Sequence, residues 1–133
     1  MYCIIPCLYI YLYRQPIPIS GMNIENTQAQ MRKGILEYCI LLVIARQDAY
    51  VQDIINKLKA SKMLVVEGTI YPLLTRLKNT GLLSYRWEES TQGPPRKYYS
   101  ITDEGRSFLQ AMGSSWDELT AAIAALREQN TPQ

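Results

Sequence analysis

No histidine occurs anywhere in this chain. That absence removes Ser-His-Asp and Cys-His catalysis, histidine zinc sites and zinc fingers together. Cysteine is scarce as well: Cys3, Cys7 and Cys39 cannot all pair, and no C-x-x-C spacing suggests a structural metal or a redox dithiol. A reduced, cytoplasmic protein without metal or other cofactor is the simplest expectation. Phosphate-cradling glycine loops, Ser-x-x-Lys and nucleophile-base pairs are missing too, so an enzyme is not expected. The most apolar run, Tyr2 to Tyr13, is broken by Pro6 and falls short of the roughly 20 residues a bilayer requires. It also lacks the basic n-region and the small-residue cleavage site of a secretory signal.

What is present fits one globular domain: 133 residues, 47% hydrophobic and 20% charged. The first 21 residues differ from the rest, holding four of the ten tyrosines, three of the seven prolines and a single charge, Arg14. We read residues 1–21 as an extension outside the fold, with Met22 as the functional start. Residues 22–101 then form the main domain, 102–129 a terminal helix and 130–133 a tail.

Hydrophobic periodicity divides the domain into elements. From Thr27, a cap candidate, the run QAQMRKGILEYCILLVIARQ sets Met31, Ile35, Cys39, Leu42 and Val43 on one helical face, broadened by Leu36, Ile40 and Ile44. After Asp48 a short second helix turns Val51, Ile54, Ile55 and Leu58 inward. A third helix carries Ile70, Leu73, Leu74 and Leu77, and Gly81 ends it. The period then changes to two: Leu83, Tyr85 and Trp87 alternate with Ser84, Arg86 and Glu88, while ESTQGPPR reads as a turn and KYYSI as the returning strand. That hairpin is expected to have a loop longer than two residues. Thr102 caps a last helix in which Phe108, Met112, Trp116, Leu119, Ile123 and Leu126 recur at spacings of three and four. Such a seam wants a partner helix.

The net charge of +2 conceals a segregation. Between Lys57 and Lys97 stand eight basic residues against Glu67, Glu88 and Glu89, whereas from Ser107 onward Arg127 faces Asp117, Glu118 and Glu128. Helix, loop, helix and basic hairpin, in that order, is the geometry with which a second helix enters a DNA major groove while a β-wing touches the flanking backbone. A helical wheel of the third helix puts Gly68, Pro72, Thr75 and Asn79 opposite the buried stripe, flanked by Thr69 and Arg76 on one side and Tyr71 and Lys78 on the other. Arg76 and Lys78 suit phosphate or guanine contacts; Thr69, Tyr71 and Thr75 suit phosphate or thymine methyl contacts. The fold class expected is mainly α with a small β-hairpin: a winged helix-turn-helix plus a carboxy-terminal dimerisation helix.

The segments EGTIYPLLTRLKNTGLL and WEESTQGPPRKYYSITDEG, supported by GILEYCILLVIA, resemble the PadR family of winged helix-turn-helix transcriptional regulators, over about Met31 to Trp116. The resemblance implies homodimers that repress promoters at pseudo-palindromic operators, with the last helix packed on the partner's first. Its DNA-facing positions fall on Thr69, Tyr71, Arg76, Arg96 and Lys97. Departures are Val66, where members often carry a capping serine, Ala49 in place of a common glycine, and GPPRK where many wings are more basic. Trp116 aligns with a tryptophan that stacks flat aromatic effectors at the dimer interface of multidrug-binding members, and Ile35 and Cys39 would line that pocket. A winged-helix module that binds protein without DNA is the competing reading; it predicts an apolar wing, whereas Arg86, Arg96 and Lys97 are basic.

Overall fold

The computed structural model describes residues 23–63, 65–130 and 132. Two compact units divide the chain, Met1–Met31 and Arg32–Gln133. The reading of residues 1–21 as an extension lies outside the described residues. Four helices and three strands follow one another: α1 (Ile24–Arg46), β1 (Ala49–Tyr50), α2 (Val51–Ala60), α3 (Glu67–Asn79), β2 (Leu83–Ser90), β3 (Gly93–Ile101) and α4 (Asp103–Gln129).

In the first unit, the described residues are the opening turns of α1. The cap is Asn23 and not Thr27: the Asn23 side-chain oxygen accepts from the Glu25 N–H at 2.9 Å, while Thr27 lies within the helix, its hydroxyl 3.5 Å from the Asn23 carbonyl. Both residue types cap well, so the earlier of the two available acceptors started the helix.

The second unit encloses one core, built from Leu36, Ile40, Leu41 and Ile44 of α1, Ile54, Ile55 and Leu58 of α2, Ile70, Leu74 and Leu77 of α3, and Ala49, Leu83 and Tyr99 of the sheet. On α2 and α3 this is the stripe read from periodicity, save that Val51 and Leu73 are half-buried. On α1 the buried face is rotated from the expected one: Leu41 is fully buried, whereas Met31 and Leu42 are exposed. From Ile35 to Ile44 this helix is apolar almost all round, so its own pattern does not select a side.

The sheet has the order β1-β3-β2, antiparallel throughout, which corrects the expectation of a hairpin alone. β1 pairs Ala49 with Tyr99 and Tyr50 with Tyr98. Two residues carry no readable alternation. The hairpin is also tighter than expected: Ser90 pairs with Gly93, leaving Thr91 and Gln92 as the turn. Glu89 then stands opposite both Pro94 and Pro95, a bulge that absorbs two residues without an N–H. β1 reaches only Tyr98 and Tyr99, so among the described residues the proline end of β3 has no strand on its other side and the missing donors cost no ladder bond there.

The termini of α2 and α3 show what capping does here. α3 begins at Val66, which supplies no side-chain acceptor. It ends with Gly81 at φ 81°, where the Gly81 N–H bonds Lys78 O at 3.1 Å and the Leu82 N–H bonds Leu77 O at 3.0 Å. This is a Schellman closure with glycine in its left-handed position. α2 closes the same way, but the left-handed residue is Lys62, at φ 61°. A side chain there costs about 1 kcal/mol that glycine avoids.

Thr102 caps α4 as expected and also ties it to the end of α3. Its hydroxyl oxygen accepts from the Gly105 N–H at 3.0 Å and donates to the Gly81 carbonyl at 2.7 Å. Gly105 is buried against Leu82, and Leu109 packs on the core, so the first turns of α4 are held by the domain. Beyond Trp116 no described residue of α4 is buried.

Candidate nucleic-acid interface

The register of β2 and β3 sorts the wing into two faces. Leu83, Tyr85 and Trp87 lie opposite Ile101, Tyr99 and Lys97, and Arg86 and Glu88 opposite Tyr98 and Arg96. The first face starts in the core, where Leu83 and Tyr99 are buried, and runs outward to Trp87, which is 63% exposed. Lys78 of α3 reaches this same face: its Nζ lies 5.6 Å from the centre of the Tyr85 ring. The Lys97 Nζ lies 3.9 Å from that ring, 5.4 Å from Tyr99 and 5.9 Å from Trp87. Among the described residues neither lysine has a carboxylate partner. Each cation–π contact contributes only about 0.5–1 kcal/mol at an exposed site. Its effect is to hold two positive charges over one ring, between α3 and the wing, where an anion would relieve their repulsion.

On the opposite face the cations are engaged differently. Arg86 pairs with Asp48 and with Glu88, at 2.8 Å from the latter, and donates to the Ser100 hydroxyl at 3.3 Å. Hydrogen bonding from Ser100, and beside it the Arg86 guanidinium, holds the Asp48 carboxyl below its ordinary pKa against the opposing effect of burial. Arg86 therefore belongs to the sheet's internal electrostatics and not to a free basic surface. Arg96 lies over the Tyr50 ring at 4.7 Å, and Tyr50 packs on Tyr98 at 5.6 Å.

α3 itself divides along its length. Tyr71 and Thr75 are exposed on the outward face with Lys78; Tyr71 Oη is 3.5 Å from Glu67, and the Thr75 hydroxyl donates to the Tyr71 carbonyl at 3.1 Å. Thr69 is half-buried on the other flank. Arg76 lies on that flank too and is exposed; its Nε donates to Glu37 of α1 at 2.6 Å and its terminal nitrogen forms an ion pair with the same carboxylate. This pair lines a cleft of about 340 Å³ with Leu77, Thr80, Leu82 and Phe108. Of the seven residues expected at the interface, the fold gathers Tyr71, Thr75, Lys78 and Lys97, and sets Thr69, Arg76 and Arg96 apart. Tyr85 and Trp87 were not among the expected site residues. Their alternation placed them on one face, but nothing in it told which face carries the free lysines.

The seam of α4 is largely exposed. Phe108, Trp116, Leu119, Ile123 and Leu126 are exposed and Met112 is half-buried. Tyr38 of α1 packs against Trp116, with ring centres 6.5 Å apart and planes inclined by 36°. Sequence reasoning missed Tyr38, since its place beside α4 depends on how α1 is rotated. Ile35 and Cys39, the expected companions of Trp116, are half-buried on α1. Cys39 packs on the core, and burial pushes its thiol pKa up, away from nucleophilic chemistry.

Three helices, a basic wing and a long last helix with an exposed apolar seam define a winged helix-turn-helix DNA-binding protein. Residues 40–111 match the transcriptional regulator PadR-like family. A PadR-like transcription factor from Bacteroides fragilis is 58% identical, covering 76% of this chain and 98% of its own, with a TM-score of 0.65. A PadR family transcriptional regulator from Eggerthella lenta is 31% identical, covers 80% of this chain and 94% of its own, and superposes with a TM-score of 0.74. A PadR-like transcriptional regulator from Bacillus cereus is 39% identical over 73% of this chain and 95% of its own, with a TM-score of 0.66. The chain belongs to the PadR-like family of transcriptional regulators. It is a DNA-binding regulator by fold and not an enzyme. Among the described residues no helix is long and apolar enough to cross a membrane.

Proposed function

We propose that the chain is a homodimeric repressor in which α3 enters the major groove of each half of a pseudo-palindromic operator and the wing contacts flanking backbone. The observation that carries this reading is the convergence of Lys78 and Lys97, both without a carboxylate partner among the described residues, on Tyr85 between helix and wing. Tyr71 and Thr75 supply hydroxyls beside them for phosphate or base contacts. Arg76, engaged by Glu37, acts here as a strut between α3 and α1, and Arg96 is a secondary wing contact. The α4 seam is the dimer interface, and Leu42 of α1, one turn on from the Tyr38 that packs on Trp116, is exposed as well. A flat aromatic effector, neutral or cationic, would stack on Trp116 beside Tyr38 at that interface and release the operator.

Binding to duplex DNA from the region upstream of its own gene, followed by fluorescence anisotropy across a salt series, tests the reading. Lys97→Ala is expected to weaken operator and mixed-sequence duplex alike, and to reduce the slope of log K against log salt by about 0.9, the signature of one lost phosphate contact. An unchanged slope removes Lys97 from the interface. Quenching of Trp116 emission by planar aromatic compounds, together with loss of operator binding, is the result expected of the effector site; a diverse set without effect refutes it.

A further inference from the structure

The wing carries an aromatic side chain that the fold leaves uncovered. Trp87 shares its face with Leu83 and Tyr85, but the core ends at Leu83 and Tyr99, and Trp87 is left 63% exposed. A large apolar ring in water is a cost unless something covers it. Its surroundings say what kind of partner does so. Lys97, directly opposite it in the register, stands 5.9 Å from the indole, and Lys78 and Lys97 share the neighbouring Tyr85. The wing carboxylate nearest in sequence on β2, Glu88, points to the other face and is held by Arg86; Glu89 stands at the bulge, where the alternation of faces breaks. A second copy presenting this face would bring like charges together. The complementary surface is anionic and also offers apolar area, and the sugar–phosphate edge of duplex DNA offers both.

We propose that Trp87 is a DNA-contacting residue of the wing. Its indole packs on deoxyribose of the backbone flanking the groove occupied by α3, with Tyr85 as the platform that aims Lys78 and Lys97 at the adjacent phosphates. The assignment rests on the DNA-binding reading above. It is independent of base sequence, because sugar and phosphate are the same at every position.

The test uses the full chain and a labelled mixed-sequence duplex at low salt. Trp87→Ala is expected to weaken binding about tenfold while leaving the salt slope unchanged, since apolar contact releases no counterion. Trp87→Phe retains most of the affinity because a flat ring remains. Circular dichroism confirms that both variants keep the wild-type fold. The emission of the wild type less that of Trp87→Phe isolates Trp87, and saturating duplex is expected to shift this signal and shield it from acrylamide. Tight duplex binding with Trp87 emission and accessibility unchanged, or wild-type affinity in folded Trp87→Ala, overturns the contact and leaves the regulator reading standing. Absence of duplex binding by the wild type overturns both. Shielding of Trp87 by an acidic polypeptide such as polyglutamate but not by duplex overturns the contact in favour of a protein partner.

Discussion

Gly105→Ala is expected to lose about 3 kcal/mol of folding stability or more, read as a fall in the urea midpoint at constant slope. A Cβ built on Gly105 lies 2.2 Å from the Leu82 carbonyl oxygen and 2.8 Å from Cγ1 of Ile101. The first of these is backbone, and it is already committed: Leu82 O accepts from the Thr102 N–H at 3.1 Å and lies 3.1 Å from the Thr102 hydroxyl. Moving it aside breaks the knot that joins the end of α3 to the start of α4. Overpacking ordinarily costs about 1–3 kcal/mol, and an immovable neighbour puts this case at the upper end. A loss of that size is a large share of the 5–15 kcal/mol typical of a domain. Gly113→Ala supplies the contrast. Its Cβ would meet only the Tyr38 hydroxyl, at 3.5 Å, so the gain in helix propensity of up to about 1 kcal/mol is expected to show. Equal stability of the two variants would refute the argument.

Leu119→Glu is expected to yield a folded monomer by light scattering and to weaken operator binding on the order of a hundredfold. Leu119 is 52% exposed, between Trp116 and Ile123 on the seam, and contributes nothing to the core of its own protomer. The variant therefore keeps its helical circular dichroism while placing a carboxylate in what is proposed as the apolar dimer contact, where an unpaired charge is severely unfavourable. Operator affinity falls because two linked half-site contacts become two separate weak ones. The length of α4 argues for a partner in the same direction. From Trp116 to Gln129 the helix has no buried residue, and an isolated helix of that length is marginal in water. A variant that remains dimeric would remove the seam from the interface.

Much of this was legible without coordinates wherever a signal was local. Thr102 as a cap, Gly81 as a left-handed stop, and the stripes of α2 and α3 all rest on residues within a few positions of one another, which is the range over which helix geometry acts. The wing was legible from its change of period. Its tight turn was not, because Pro94 and Pro95 read as loop residues until β3 is seen to have no second neighbour at that end among the described residues. The two-residue β1 was too short to carry any pattern.

The basic surface shows most clearly what the chain's order of residues cannot contain. Eight basic residues between Lys57 and Lys97 mark the region proposed to face an anion, and their clustering is legible in the sequence alone. Which of them are free does not. Arg76 is engaged by Glu37, 39 residues away, and Arg86 by Asp48, 38 residues away, while Lys78 and Lys97 meet aromatic rings and, among the described residues, no carboxylate. Composition and periodicity determined the elements, their caps and the sign of the surface, because those depend on neighbours along the chain. The tertiary structure decided which charges are neutralised, which face of α1 is buried and where Trp87 is left uncovered, because each depends on which distant residue comes within a few ångströms.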